Sequence, residues 1–191
     1  MKYISVFCGS STGNDDIYKD QAKVLGQTLA KKGYGIVYGG ARVGLMGAVA
    51  DGVLNAGGEV IGVIPGFLKK KEIEHEHLTR MHIVETMHER KELMSQLSDA
   101  VIALPGGYGT LEELFEMLTW GQLNLHKKPV AILNIDGYYN PLIAMRDTMI
   151  QKGFLKEEYQ NLLIIDKDIE NLIKKIETYT PSDNEKWYEV T

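Results

Sequence analysis

Ala100-Val101-Ile102-Ala103-Leu104-Pro105-Gly106-Gly107-Tyr108-Gly109-Thr110-Leu111-Glu112-Glu113 begins as an apolar run, turns on proline and two glycines, and re-emerges with helical spacing. A short, continuous apolar run stopped by Pro-Gly-Gly reads as a strand buried on both faces. From Leu111 to Leu123 the apolar residues Leu111, Leu114, Phe115 and Leu118 form one helical stripe. The same succession occurs at the start of the chain. Tyr3 to Cys8 is apolar and β-branched, Gly9-Ser10-Ser11-Thr12-Gly13 turns, and Asn14 to Lys32 carries Tyr18, Ala22, Leu25 and Leu29 on one stripe.

Working outward, strands are predicted over Gly35–Tyr38, Val60–Ile64, Met81–Val84, Val130–Ile135 and Leu162–Ile165. Helices are predicted over Leu45–Ala56, Met87–Leu97, Pro141–Lys152 and Asp168–Tyr179. Phe67 to Arg80 is polar and shows no period. Continuous apolar strands alternating with helices predict one α/β domain, a doubly wound parallel sheet with helices on both faces. Its bounds are residues 1–180, with a polar tail over 181–191 in which Trp187 and Tyr188 could dock. In such sheets ligands bind beyond the carboxyl ends of the strands.

Composition narrows the function. The chain has 191 residues and 20 glycines, where an average share of roughly 7% would give about 13. Nine fall in three loops that follow strands: Gly9 and Gly13; Gly39, Gly40, Gly44 and Gly47; Gly106, Gly107 and Gly109. Glycine lets backbone N–H groups approach a phosphate, and a helix N-terminus favours an anion. The net charge of −5 argues against nucleic acid or an anionic membrane surface as partner. The lone Cys8 excludes a disulfide framework and a cysteine zinc site. The first apolar run is too short for a signal peptide and no run has membrane-spanning length, so a cytoplasmic location is expected.

Two nucleotide motifs are missing. No G-x-G-x-x-G follows the first strand, and no acidic residue ends the second, since Tyr38 runs into Gly39. No Gly-Lys-Ser/Thr follows any glycine loop. The loops therefore point to a phosphate-bearing ligand outside the dinucleotide and P-loop classes. Glu113 has a structural reading, as the third helical residue of a capping box opened by Thr110. Its functional reading is a carboxylate beside a phosphate nest, with Glu116 on the same helix face. Thr86-Met87-His88-Glu89 is a second capping box. The cations that follow it, Arg90 and Lys91, oppose the helix dipole unless they serve an anion or lie in solvent. His75-Glu76-His77 in an extended segment could chelate a metal, although its mixed-charge surroundings favour a solvated loop, and no metal is expected.

Pro105 to Glu113, with Gly39-Gly40-Ala41-Arg42-Val43-Gly44-Leu45-Met46-Gly47 and Met87-His88-Glu89-Arg90-Lys91, resembles the LOG ("Lonely Guy") family of cytokinin riboside 5′-monophosphate phosphoribohydrolases. The resemblance runs from Phe7 to about Asn140. It implies a Rossmann-like fold, a homodimer, no cofactor, and a small-molecule nucleotide substrate. The implied reaction is hydrolysis of the N-glycosidic bond of an adenine-type nucleoside 5′-monophosphate to free base and ribose 5-phosphate. It makes Arg90 and Glu113 the catalytic pair. It makes Glu72, Arg90, Lys91, Gly106, Gly107, Tyr108, Gly109, Thr110, Leu111, Glu112 and Thr119 substrate contacts, with Gly9, Ser10, Gly39, Gly40, Gly44 and Glu116 as further candidates. Plain AMP and N6-prenylated AMP both remain open as substrates.

Two other readings compete. A non-catalytic nucleotide-binding module would use the same loops without needing both Arg90 and Glu113. A pyridoxal-phosphate decarboxylase, a label proteins of this family have carried, would need a Schiff-base lysine. The one His-Lys pair, His126-Lys127, follows Asn124-Leu125 without the expected serine.

Overall fold

A computed structural model describes residues 1–68 and 75–181. Glu72, Trp187 and Tyr188 lie outside the described residues. The chain alternates strand and helix: β1 (Tyr3–Phe7), α1 (Asp16–Lys31), β2 (Gly35–Tyr38), α2 (Gly44–Asn55), β3 (Val60–Pro65), β4 (Arg80–Val84), α3 (Met87–Leu97), β5 (Ala100–Ala103), α4 (Tyr108–Gln122), β6 (Val130–Leu133), α5 (Asn140–Gln151), β7 (Leu163–Asp166) and α6 (Ile169–Glu177). The seven strands form one sheet in the order β4-β3-β2-β1-β5-β6-β7, and every pairing is parallel.

Alternation along the strands explains why they read as continuous apolar runs. In β5, Ala100 and Ile102 pack with Ala22, Leu25 and Val49, on the face carrying α1 and α2. Val101 and Ala103 pack with Met94, Leu114 and Met117, on the face carrying α3 and α4. Successive side chains point to opposite faces, and both faces are covered, so neither set can be polar. Ser5 is the exception in β1. It is fully buried, and its hydroxyl donates to the Met94 carbonyl at 3.1 Å.

The strand order reverses at β1. From there the chain moves outward through β2, β3 and β4, then returns to lay β5 against the other edge of β1. The carboxyl ends of β1 and β5 therefore lie side by side with their connections diverging, which leaves a crevice between them.

Three local expectations are corrected. Helix α4 begins at Tyr108, not Leu111, and its N-cap is Gly107. Thr110 is therefore inside the first turn, so Thr110 and Glu113 do not form a capping box. Strand β6 stops at Leu133, and a 3-10 turn follows over Ile135–Gly137, where Asp136 has a positive φ of 49°. A further 3-10 turn over Glu157–Leu162 precedes β7. Half of the second capping box is present: the Thr86 hydroxyl accepts from the Glu89 amide at 3.1 Å, while the Glu89 carboxylate accepts from the amide of Glu85, one residue before the cap, at 2.9 Å.

Candidate active site

The crevice between β1 and β5 is closed at its floor by hydrogen bonds that continue past the strands. The Leu104 amide donates to the Phe7 carbonyl at 2.9 Å, and the Gly9 amide to the Pro105 carbonyl at 3.0 Å. The Gly9 carbonyl in turn accepts from the Leu45 amide in the first turn of α2 at 3.0 Å. One glycine thus ties all three glycine loops together. A Cβ on Gly106 would meet the Thr110 hydroxyl at 2.1 Å and the Gly9 amide at 2.8 Å. A Cβ on Gly44, whose φ is +62°, would meet the Ser10 carbonyl carbon at 2.2 Å. These two glycines are required by the closeness of the loops. From behind, Tyr139 donates to the Leu104 carbonyl at 2.6 Å and Tyr138 to the Gly106 carbonyl at 2.5 Å, fixing the path of the Pro105 loop.

Above this floor opens a cleft of about 330 Å³. Its lining includes Cys8, Gly9, Ser10, Gly39, Arg90, Gly107, Tyr108, Gly109, Thr110, Glu112 and Glu113. The N–H groups of Tyr108, Gly109 and Thr110 are the first three of α4, which the helix itself leaves without acceptors. Helices α3 and α6 have side-chain caps, Thr86 and Asp168. Helix α4, like α1, α2 and α5, has none; what sets it apart is that its first turn lines the cleft and that space around Gly107 and Gly109 is open. A vacant cap position at a helix N-terminus suits a phosphate oxygen.

Arg90 is buried at 6% exposure. Its Nε donates to the Val63 carbonyl and its Nη2 to the Gly39 carbonyl, both at 3.1 Å, while Nη1 approaches the Met87 sulfur at 3.9 Å. Hydrogen bonds from a charged donor contribute about 1.5–3 kcal/mol each, and here they hold a planar cation at the ends of β2 and β3. A Cβ on Gly39 would lie 2.1 Å from Nη2, so the guanidinium occupies the space that any other residue at 39 would fill. Glu113 lines the same cleft, half-buried in the second turn of α4. Both charges reach Cys8. Burial pushes the Cys8 thiol well above its ordinary range, Glu113 pushes it further, and Arg90 pulls it back.

A family profile described as "Possible lysine decarboxylase" matches residues 46–176. A probable cytokinin riboside 5′-monophosphate phosphoribohydrolase of Oryza sativa subsp. japonica is 49% identical, over 95% of this chain and 82% of its own length. A cytokinin riboside 5′-monophosphate phosphoribohydrolase of Arabidopsis thaliana is 47% identical, over 95% and 85%. The chain belongs to the cytokinin riboside 5′-monophosphate phosphoribohydrolase (LOG) family. Among solved structures, a molybdenum cofactor binding protein from Rippkaea orientalis superposes with a TM-score of 0.69 at 25% identity, covering 92% of this chain and 95% of that one. The molybdenum cofactor carrier protein of Chlamydomonas reinhardtii gives the same TM-score at 21% identity, covering 92% and 96%, a likeness of fold.

In this LOG-family chain the structure brings most of the sequence-predicted residues to one cleft and places others elsewhere. Arg90, Gly107 to Thr110, Glu112 and Glu113 line it with Gly9, Ser10 and Gly39. Gly106 supports the loop from beneath. Gly40 and Gly44 serve the backbone, Gly40 by giving its carbonyl to the His75 amide at 3.1 Å. Leu111 packs into the core beside α3. Thr119 is exposed three turns along α4, with its hydroxyl on the Phe115 carbonyl at 2.7 Å, outside the cleft. Glu72 lies outside the described residues. His75 turns its Nε2 to Asp51 at 3.1 Å and its Nδ1 to the His77 amide at 3.3 Å, so both ring nitrogens are engaged. His126-Lys127 follows the far end of α4, about 20 Å from the cleft at helical rise. No lysine lines the cleft among the described residues.

Sequence reading missed an apolar wall. Leu68, Met46, Met87 and Met94 line the cleft together with the glycines. Met87 and Met94 are seven apart, on the helix face that also presents Arg90, and that spacing was the available signal.

Cys8 reports on this geometry. In the folded protein it should react with a thiol reagent at pH 8 orders of magnitude more slowly than in denaturant. Removing the nearby anion by Glu113→Gln lowers its pKa and should speed the reaction. An unchanged or slower rate in the folded variant would place Glu113 away from the thiol.

Proposed function

We propose that this chain hydrolyses the N-glycosidic bond of an adenine-type nucleoside 5′-monophosphate, with or without an N6-prenyl group, to free base and ribose 5-phosphate. The observation that carries the reading is the meeting of the uncapped α4 N-terminus, the Glu113 carboxylate and the Arg90 guanidinium in one cleft. The 5′-phosphate takes the amides of Tyr108, Gly109 and Thr110, and that remote binding energy positions the sugar. The base lies against Met46, Met87 and Met94, whose polarizable thioethers accommodate an aromatic ring.

Cleavage leaves positive charge on the ribosyl ring. Glu113 stabilises that charge and accepts a proton from the attacking water. The water oxygen bonds to C1′, the electron pair of the C1′–N9 bond leaves with the base, and the base takes up a proton. Arg90, held by two carbonyls, orients the ribose hydroxyls. A cytoplasmic location fits a chain whose single cysteine is a buried free thiol. Among the described residues no helix is long and apolar enough to cross a membrane.

The working unit in this proposal is a homodimer. A groove between α4 and α5 is lined by Phe115, Leu118, Leu142, Met149 and Phe154, and Phe154 is 89% exposed. A second copy seated there would cover this apolar surface. Thr119 lines the same groove, so as a substrate contact it would reach a cleft only across that interface. Sedimentation velocity at micromolar concentration should give twice the chain mass; a single-chain mass would refute the dimer.

Wild-type protein incubated with AMP, and with isopentenyladenosine monophosphate, should release base and ribose 5-phosphate in equal amounts. Glu113→Gln should lower kcat by about 10²- to 10⁴-fold while AMP still binds. Binding without turnover in the wild type would instead favour a nucleotide-binding module. Turnover by Glu113→Gln at the wild-type rate would remove Glu113 from the mechanism.

A further inference from the structure

Lys91 follows Arg90 on α3, and the resemblance makes both of them substrate contacts. The structure separates their roles. Arg90 lines the cleft, whereas the Lys91 ammonium is buried at 9% exposure and bonds to carboxylates of α4. It donates to Glu112 and, at 3.0 Å, to Glu116. The two glutamates are one helical turn apart and therefore share a face, so one ammonium bridges both. Of its three N–H donors, two are taken by this pair. Burial alone would pull the ammonium pKa down, but the hydrogen bonds to Glu112 and Glu116 outweigh it and hold the pKa above its ordinary value.

The position of this cluster matters as much as its bonds. Lys91 is peptide-bonded to Arg90, and Glu112 to Glu113. The Lys91–Glu112 contact is therefore one residue removed from the catalytic pair on both helices. It joins segments 21 residues apart in sequence, brought together only by the fold. Beneath it, Met94 of α3 and Leu114 of α4 belong to one apolar cluster on the same face of the sheet, and each helix packs on strands rather than on the other, so that packing does not set their offset. Dispersion contacts are non-directional, whereas a hydrogen-bonded ion cluster fixes one offset.

We propose that Lys91, Glu112 and Glu116 form a clamp that sets the register of α3 against α4, making Lys91 a positioning residue for Arg90 and Glu113 rather than a ligand of the substrate phosphate. The proposal rests on the hydrolase reading of the same cleft. It reassigns Glu116 as well: its carboxylate serves Lys91, not a ribose hydroxyl. A register error of about 1 Å between reacting groups can cost about 10²-fold in rate, so loss of the clamp acts on kcat. The phosphate is held by α4 amides that the clamp does not touch, so affinity is spared.

The test compares Lys91→Met, Lys91→Arg, Glu116→Gln and the Lys91→Met/Glu116→Gln pair in the full chain. Turnover of AMP is measured, and so is calorimetric binding of ribose 5-phosphate, which needs no catalysis. Lys91→Met should lower kcat by about 10- to 100-fold and leave ribose 5-phosphate affinity within about three-fold. Lys91→Arg, which keeps the charge and its donors, should recover much of the rate. The double variant should be no slower than Lys91→Met alone, because both remove the same contact. A loss of ribose 5-phosphate affinity of about ten-fold or more in Lys91→Met, with kcat little changed, would make Lys91 a phosphate ligand and overturn the clamp. Unchanged kcat and affinity would overturn it too. A wild-type protein that releases no base would defeat the hydrolase reading alone. The clamp would then be judged by the crystal structure of Lys91→Met, where α3 should shift against α4; superposition of Arg90 and Glu113 on their wild-type positions would overturn it.

Discussion

Gly9 sits where three chain segments must pass within backbone contact. Its amide is held by the Pro105 carbonyl and its carbonyl by the Leu45 amide, each at 3.0 Å. Because β1 and β5 are parallel neighbours at the point where the strand order reverses, their ends cannot be joined by a tight turn. The loops that leave them must fit side by side over one small area. Side chains would hold those loops apart, as the 2.2 Å approach of a Gly44 Cβ to the Ser10 carbonyl carbon makes plain. Gly9, Gly44 and Gly106 are the consequence of that crossing, and the cleft above it follows from the same geometry.

The site then concentrates charge locally in a chain that is acidic overall. Arg90 is locked by carbonyls of β2 and β3, and Lys91 by carboxylates of α4. Adjacent cations early in α3 oppose its dipole, and the structure resolves the conflict by sending them to different partners. Arg90 faces the cleft, where with the α4 amides it offers a substrate anion a local attraction that the net charge of −5 does not describe.

Much of this was legible in the sequence because it is written in local pattern. Continuous apolar runs gave a buried parallel sheet, and the glycine loops marked its carboxyl edge. The start of α4 was misplaced because Gly-Tyr-Gly has low helix propensity while Thr110-Leu111-Glu112-Glu113 spells a capping box. The packing of Thr110 beneath Gly106 overrides both. The methionine wall was hidden because Met46, Met87 and Met94 read as ordinary core. The tie from Lys91 to Glu112 and Glu116 was hidden because such contacts depend on how α3 and α4 pack. The family resemblance supplied Arg90 and Glu113; the residues alone left Glu113 divided between cap and catalyst.

A crystal structure of Glu113→Gln with AMP bound is the most direct check on how the cleft works. Phosphate density against the amides of Tyr108, Gly109 and Thr110 is expected, with C1′ beside residue 113 and adenine against Met87 and Met94. Phosphate bound at Lys91, or a nucleotide seated outside the cleft between β1 and β5, would contradict it.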